Sequence, residues 1–244
     1  MSESVVVRDA RFPETERFPR HMVFLMTDTL PSQGPPEAEL YLMAAKPNPF
    51  PIGPFGERVG SEIKQKGFMV GMQIGNTLTD NAYQEDGYRF HDALHLGLLA
   101  VTGWSPVMRS LLGLKRRSDP IVDTIEDGGR AIVLEEGLFG FLGSDRQTYK
   151  DPFYNDADVE VATAQMWHKS RAVLPPGETI PYELWKKAII LGQNTLYRLV
   201  ETIGTHAPQD EEPTKCAYLT ADLDHQSLDL SFKPPEPLHN LLKP

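Results

Sequence analysis

The clearest pattern of apolar and polar positions lies in the middle of the chain. Between residues 88 and 102, apolar side chains recur every three or four positions, which is the spacing of one face of an α-helix. This helix is expected to end at Gly103. Ser105 and Pro106 then predict a second helix, because Ser caps helix N-termini and Pro suits the first helical position.

Three more helices are predicted after these two. Asp119-Pro120 introduces a helix over about residues 121–142, and further helices are expected over 157–171 and 182–203. The pair Gly128-Gly129 lies inside the first of them and costs roughly 1 kcal/mol per glycine relative to Ala. Either close helix packing or the approach of a ligand must therefore favour a bare backbone there.

The two ends of the chain show different patterns. Residues 21–27 and 39–45 are short apolar runs that predict a hairpin or two edge strands. Residues 216–232 alternate in polarity and predict a small hairpin that turns near Asp224-His225. Residues 63–79 have no firm period, so no regular element is predicted there.

The prolines separate these ends from the helical centre. Nine of the 21 prolines fall in residues 1–60, three in 61–174 and nine in 175–244. Because proline removes a backbone donor and interrupts helices, the centre is expected to be helical and the ends irregular. Residues 46–55 predict a loop or connecting arm, and the polar residues 1–20 predict little order.

The charge of the chain narrows the class of partner. There are 24 Lys and Arg residues against 34 Asp and Glu, which gives a net charge of −10 and a pI of about 5.2. Binding to duplex nucleic acid needs a cationic face, so no nucleic-acid partner is expected. An acidic protein can hold a triphosphate when its carboxylates first hold a divalent cation.

Cysteine usage and apolar runs point to a cytoplasmic protein. Cys216 is the single cysteine, so there is no internal disulfide and no cysteine cluster for zinc. The first 17 residues lack the apolar segment of a secretory signal, and no apolar run approaches the length of a membrane span. Cytoplasmic localisation without a membrane partner is expected.

A first group of ionisable residues lies on the helix over residues 88–102. In His91-Asp92-x-x-His95, Asp92 and His95 are three positions apart and the two histidines are four apart, so the side chains are neighbours on the helix. A carboxylate on the apolar side of a helix is costly unless something pairs with it. An internal hydrogen-bond or ion-pair network and a catalytic site both satisfy this requirement.

A second group, Asp123, Glu126 and Asp127, lies within one turn of the next long helix. Such acids repel one another unless a cation sits among them, and acids are also typical of an exposed helix N-terminus. Both interpretations stay open for this group.

Glu135 and Glu136 form a third group later on the same helix. Ten residues separate Glu126 from Glu136, roughly 15 Å along a helix axis, which one ion cannot bridge. Because neighbouring helices pack about 8–10 Å apart, these acids are expected to meet Asp92 across a helix seam, with two metal sites along it.

The basic run Lys115-Arg116-Arg117 stands out in an acidic chain. It predicts either a solvated helix end or a phosphate clamp, to which Arg89 and Arg130 are further candidates.

These motifs occur in the order of a known family. The stretch from Leu78 to Leu138 contains GYRFHDxxHL, WSP, KRRSDP, EDGGRA and EE, and it resembles the MazG C-terminal-type family of all-α nucleoside triphosphate pyrophosphohydrolases. Residues 182–201 and the alternating tail are similar to the last helix and hairpin of that family. The resemblance covers about residues 68–232.

The helices and the resemblance together predict a mainly α fold, a helical bundle with small β-hairpin elements at the N- and C-terminal ends. The expected division is a proline-rich arm over 1–60, a helical catalytic domain with a C-terminal hairpin over 61–233, and a tail over 234–244. The resemblance also implies a homo-oligomer, a dimer or a tetramer, with sites near subunit contacts.

The activity that the resemblance implies is cleavage of a nucleoside triphosphate between its α and β phosphates. The products are the monophosphate and pyrophosphate, the cofactor is Mg²⁺ with Mn²⁺ as an alternative, and the role is control of the nucleotide pool. A phage-type member would trim one dNTP, such as dGTP, in the host cytoplasm.

The resemblance assigns roles to the ionisable groups. The expected catalytic residues are Asp92, Glu126, Asp127, Glu135 and Glu136. The expected metal ligands are Asp92, Asp123, Glu126, Asp127 and Glu136. The expected phosphate-binding residues are Arg89, His91, His95, Lys115, Arg116, Arg117 and Arg130.

The chain departs from the wider superfamily, which pairs an ExxE helix with an ExxD helix. Asp92 matches the aspartate of the second pair, but Arg89 stands in the place of its glutamate. Two other functions remain open. One is an HD-type metal phosphohydrolase built on His91-Asp92, with His168 and His206 as further candidates, and the other is a non-catalytic helical interaction module.

Overall fold

The computed structural model describes residues 9–31, 34–46, 71–81, 86–143, 156–175, 177–204 and 216–236. Within these residues the chain forms five strands and six α-helices. Their bounds are β1 His21–Thr29, β2 Glu37–Lys46, β3 Gln73–Thr79, α1 Asp92–Thr102, α2 Pro106–Leu111, α3 Pro120–Ile125, α4 Gly129–Gly143, α5 Asp156–Ser170, α6 Tyr182–Thr202, β4 Cys216–Asp222 and β5 Ser227–Ser231.

The strands form one antiparallel sheet in the order β3-β2-β1-β4-β5. Strand β1 lies in the middle and joins the N-terminal hairpin to the C-terminal one. Its residues His21 and Thr27 lie opposite Asp222 and Cys216 of β4. Residues of β4 alternate between buried and half-buried, so one face of the sheet covers the core.

The expectation of a mainly α fold with small hairpins at the ends is wrong, because the chain has a mixed α/β fold with a five-stranded sheet. The two predicted hairpins are present as β1-β2 and β4-β5. The polarity pattern of each hairpin carries no information that β1 of one pairs with β4 of the other. Strand β3 was not predicted, because Gly75 and its exposed neighbours leave no alternation of polarity to detect.

Helices α5 and α6 lie where the sequence predicts them, and α1 and α2 do so in part. Helix α1 begins at Asp92, and α2 ends at Leu111, before the basic run that was expected to form its end. At the start of α2 the hydroxyl of Ser105 accepts the N–H of Met108 at 3.1 Å, and Pro106 occupies the first turn. Gly103 ends α1 with a φ of +64°, a conformation that favours glycine, and its N–H donates to the carbonyl of Leu99.

The helix predicted over residues 121–142 is interrupted and forms α3 and α4. A Cβ on Gly128 would lie 1.9 Å from the carbonyl oxygen of Thr124, so a side chain does not fit at the break. A Cβ on Gly129 would meet nothing within 4 Å. The bare backbone is therefore needed at Gly128 for the turn of the chain itself.

Helix α1 is buried along its whole length and contacts α6 and the strands β4 and β5. Its backbone approaches α6 closely, since a Cβ on Gly97 would lie 2.7 Å from the Cα of Gly192. Any ionisable side chain on α1 is thereby placed in the interior of the molecule.

Residues 9–20, before β1, are also packed on the core, although little order was expected there. Phe12 and Phe18 are buried, and Asp9 accepts hydrogen bonds from Arg109. The predicted loop over residues 46–55 lies outside the described residues, apart from Lys46 at the end of β2. No helix in the described part of the chain has both the length and the apolar character that crossing a bilayer requires.

Candidate metal centre

Three potential metal ligands meet at the first turn of α1. His91 caps the helix, Asp92 is its first residue and His95 follows one turn later. One ligand atom from each of the three lies within 4.8 Å of the others, and all three side chains are buried. Together with Glu136 of α4, described next, they are called the histidine centre.

His95 of α1 lies against two glutamates of α4, one near each ring nitrogen. Its Nδ1 lies 2.8 Å from Oε1 of Glu135, and its Nε2 lies 3.6 Å from Oε1 of Glu136. The ring has no exposed surface, yet Nε2 has no hydrogen-bond partner. The side chain of Glu136 is 44% exposed, so the centre is open to solvent on this side.

Glu135 is held rigidly behind His95. It accepts a hydrogen bond from the hydroxyl of Ser105 at 2.7 Å and one from the N–H of Val107 at 2.9 Å, and it is completely buried. A carboxylate that fixes the far nitrogen of a histidine is the usual support of a metal-binding imidazole. Glu135 is therefore a positioning residue.

The orientation of His91 is fixed in a similar way. Its Nδ1 lies 2.9 Å from the carbonyl oxygen of Tyr88, and its ring stacks on the Tyr88 ring at 4.3 Å between centroids. Since a carbonyl oxygen only accepts, Nδ1 carries the proton and Nε2 is left as the acceptor. An imidazole in this tautomer can bind a cation through Nε2.

Burial and charge oppose each other in the histidine centre. Burial would lower the pKa of His95, but Glu135, with Asp92 and Glu136, raises that pKa above its ordinary value. Burial lowers the pKa of His91, against the opposing influence of Asp92, and the neighbouring His95 lowers it further. The carboxylates thus favour a positive charge in the centre, while burial and mutual repulsion oppose protonation of both imidazoles at once.

A second group of buried charges, the arginine cluster, consists of Asp9, Arg109, Arg116, Glu126 and Asp127. Arg116 donates from its backbone N–H to Asp127 at 2.8 Å and from its guanidinium to the same carboxylate. It also lies 2.8 Å from Glu126, while Arg109 contacts both oxygens of Asp9 at 2.6 Å. The acids of this cluster are neutralised by the chain's own cations.

The predicted site acids therefore divide between two places. Asp92, Glu135 and Glu136 meet at His95, whereas Glu126 and Asp127 meet at Arg116. The seam between Asp92 and the acid-bearing helix was anticipated, but the break at residues 126–128 places the two acid pairs in separate surroundings.

The basic residues predicted to bind phosphate do not gather at one place. Arg89 is buried and forms ion pairs with Asp28 and Asp80. It holds the start of α1 against the sheet, away from solvent.

Lys115 lies 3.6 Å from Asp123 at the surface. Arg117 and Arg130 are exposed, and both are thus accessible to a ligand. His168 is exposed near the end of α5, and His206 lies outside the described residues.

A comparison with protein families matches residues 47–221 to the MazG C-terminal domain, which is more than half of the chain. The chain belongs to the MazG C-terminal domain family. Comparisons with curated proteins and with solved structures gave no match. Membership of the MazG family points to a nucleotide pyrophosphohydrolase type of function.

MazG-like enzymes generally use a divalent metal, and the histidine centre can hold one. Two ligands of one first-row ion at about 2.1 Å lie at most roughly 4.2 Å apart, and the three ligand atoms here lie within 4.8 Å of one another, so small side-chain shifts would bring them to one ion. Nε2 of His95 is a buried nitrogen that lacks a partner in the protein alone. However, Mg²⁺ prefers six oxygen ligands, so a pair of imidazoles is not the set it favours.

Several groups around the histidine centre leave no signal in the sequence. Ser105 was predicted as a helix cap, but its second role, as a donor to Glu135, depends on how α2 packs on α4. The carbonyl of Tyr88 and the N–H of Val107 are backbone groups, which leave no signal in residue identity.

Proposed function

We propose that this MazG-type chain hydrolyses a nucleoside triphosphate to the monophosphate and pyrophosphate, with a divalent cation at the histidine centre. The observation that carries the proposal is the fully buried Nε2 of His95, which has no hydrogen-bond partner and lies 3.6 Å from Oε1 of Glu136, in a residue that groups with His91 and Asp92. A buried nitrogen of this kind is costly unless a ligand completes it.

A cation bound there would polarise a phosphoryl oxygen and make water more acidic. The protein residues have distinct tasks around it. Asp92 and the Nε2 atoms of His91 and His95 form the binding surface. Glu135 keeps the His95 ring in place, and the half-exposed carboxylate of Glu136 orients the attacking water and accepts its proton.

Mg²⁺ enters this proposal with the substrate. The chain carries a net charge of −10, which repels a bare triphosphate. Mg²⁺ binds phosphate oxygens readily while keeping several of its waters, so it neutralises the triphosphate before the nucleotide meets the acidic protein. Arg117 and Arg130 stay predictions as phosphate contacts, and both are exposed as that role requires.

The proposal extends to the biological setting of the activity. It includes a role in nucleotide-pool control, a phage-type preference for one dNTP such as dGTP, cytoplasmic localisation, and assembly into a dimer or tetramer. The catalytic roles predicted for Glu126 and Asp127 are less supported, because both acids pair with Arg116.

The test is incubation of the full chain with each NTP and dNTP, in Mg²⁺ and separately in Mn²⁺, followed by detection of pyrophosphate. Release of pyrophosphate from at least one nucleotide is expected, with loss in Asp92→Asn and retention in Asp229→Asn, an exposed aspartate of β5. Release of phosphate or triphosphate would favour the HD-type alternative. No release of any product would favour the non-catalytic one.

A further inference from the structure

We infer that the histidine centre is built for a first-row transition-metal ion and discriminates against Mg²⁺. The inference concerns the site of the proposed function and rests on the same premise, that the centre holds a cation. It adds the class of the ion: a transition-metal ion such as Co²⁺, Zn²⁺ or Mn²⁺ is bound by the protein, whereas Mg²⁺ is bound by the nucleotide.

The donor set is the first argument. The centre offers the nitrogens of His91 and His95, the carboxylate of Asp92, and Glu136 at its solvent side. Imidazole nitrogen is a ligand for zinc, iron, cobalt and nickel, whereas Mg²⁺ requires near-octahedral oxygen ligands and keeps water. Two buried imidazoles occupy places where a Mg²⁺ site would have oxygen atoms.

The fixed orientation of the two rings is the second argument. The carbonyl of Tyr88 holds Nδ1 of His91, and the carboxylate of Glu135 holds Nδ1 of His95. In both cases Nε2 remains for the centre, and that of His95 is fully buried without a hydrogen bond. Fixing the far nitrogen of each ring is the outer support found behind metal-bound histidines.

The accessibility of Glu136 completes the site. Its side chain is 44% exposed, while Oε1 lies 3.6 Å from the buried Nε2 of His95. An ion can therefore approach from solvent past this half-exposed carboxylate and then meet the imidazole nitrogens. This side is also where a nucleotide with its own Mg²⁺ would arrive.

The experiment titrates the chelator-treated full chain with Co²⁺, Zn²⁺, Mn²⁺ and Mg²⁺ in separate calorimetric runs without nucleotide. One ion per chain is expected, with Zn²⁺ and Co²⁺ tighter than Mn²⁺, and Mg²⁺ at least about tenfold weaker than Mn²⁺. Metal analysis of the protein as purified gives an independent readout. Mg²⁺ binding as tight as Mn²⁺ binding would overturn the inference.

Matched variants locate the ion. His91→Gln and His95→Gln should each weaken Co²⁺ binding by more than about tenfold, whereas His168→Gln, an exposed histidine on α5, should bind as the wild type does. Unchanged binding in both variants would contradict the inference. If the buried variants do not fold, the visible spectrum of the wild-type Co²⁺ protein reports nitrogen ligation, and Glu136→Gln tests the solvent side.

The inference and the proposed function can fail separately. Transition-metal binding at the histidines without pyrophosphate release would keep the inference and reject the proposed reaction. Pyrophosphate release with Mg²⁺ alone, by a protein that binds no transition metal, would keep the reaction and reject the inference.

Discussion

The histidine centre and the arginine cluster both bury several carboxylates, but they balance the charge differently. In the arginine cluster, Arg116 lies within 3 Å of Glu126 and Asp127, so the chain supplies its own cations. In the histidine centre the carboxylates face imidazoles, and Nε2 of His95 has no hydrogen-bond partner. The arginine cluster thus has the composition of a self-neutralised ion-pair network, whereas the histidine centre holds a buried ring nitrogen that the proposed cation would complete.

The largest effect is expected on stability, from a substitution that disrupts the arginine cluster. Arg116→Met leaves Glu126 and Asp127 buried without their main cation, which is expected to lower the free energy of unfolding by about 3–5 kcal/mol. Urea denaturation monitored by circular dichroism measures it. The neighbouring Arg117 is exposed, so Arg117→Met should change that free energy by less than about 0.5 kcal/mol. Equal effects of the two substitutions would show that the cluster is not structural.

The next largest effect is expected on activity, from a substitution in the histidine centre. Asp92→Asn keeps the size of the side chain but removes its charge, so the rate of pyrophosphate release is expected to fall by more than roughly 100-fold, beyond the range of outer-sphere supports. The melting temperature should change little, which separates this effect from that of Arg116→Met. Undiminished pyrophosphate release would remove Asp92 from the site.

A smaller effect tests the support behind His95. Glu135→Gln retains an acceptor for Val107 but loses the charge that holds Nδ1, and a fall of about 10–100-fold in transition-metal affinity is expected. Glu183→Gln, an exposed glutamate at the start of α6, is the matched control for calorimetry. If Glu135→Gln binds Co²⁺ as tightly as that control does, Glu135 has no positioning role.

The smallest effect is the pH dependence of the arginine cluster through Asp9. Burial alone would raise the pKa of Asp9, but Arg109 and Arg116 lower it below its ordinary value of 3.8. The ionised carboxylate therefore stabilises the fold above pH 3.8, and this contribution is lost as pH falls through the lower pKa of the folded state. Its side chain is 17% exposed, which limits the effect.

Urea denaturation of wild type and Asp9→Asn across acidic pH measures this contribution. The wild type should be the more stable at neutral pH, and the difference should shrink only below about pH 3.8. A difference that is constant with pH would mean that Asp9 contributes packing and not charge.

The sequence predicts most of the helices and the grouping of the two histidines with Asp92, because both depend on local spacing. His91, Asp92 and His95 are neighbours on any α-helix, and the cap at Ser105 needs only one turn of chain. The sheet is different, since the pairing of β1 with β4 joins residues about 200 positions apart. Nothing in either hairpin alone encodes that partner.

The acids show the same limit. Glu126 and Glu135 have similar local sequences, each beside a second acid, and spacing along one helix cannot tell them apart. Their difference comes from the neighbours that packing supplies, Arg116 for one and His95 for the other. The break between α3 and α4 depends on the close approach of the Gly128 backbone to the carbonyl of Thr124. The glycine pair in the sequence indicates a bare backbone but not the contact that requires it.

The order of the strands also determines where the chain can be cut. The family match over residues 47–221 contains β3 and nearly all of β4, but β1 and β2, which lie between them in the sheet, come earlier in the chain. A recombinant fragment trimmed to those limits would leave a gap of about 14 Å between its two strands, with unpaired backbone on both sides. The stretch that matches the family is therefore shorter than the sheet to which its strands belong, and such a fragment is expected to aggregate.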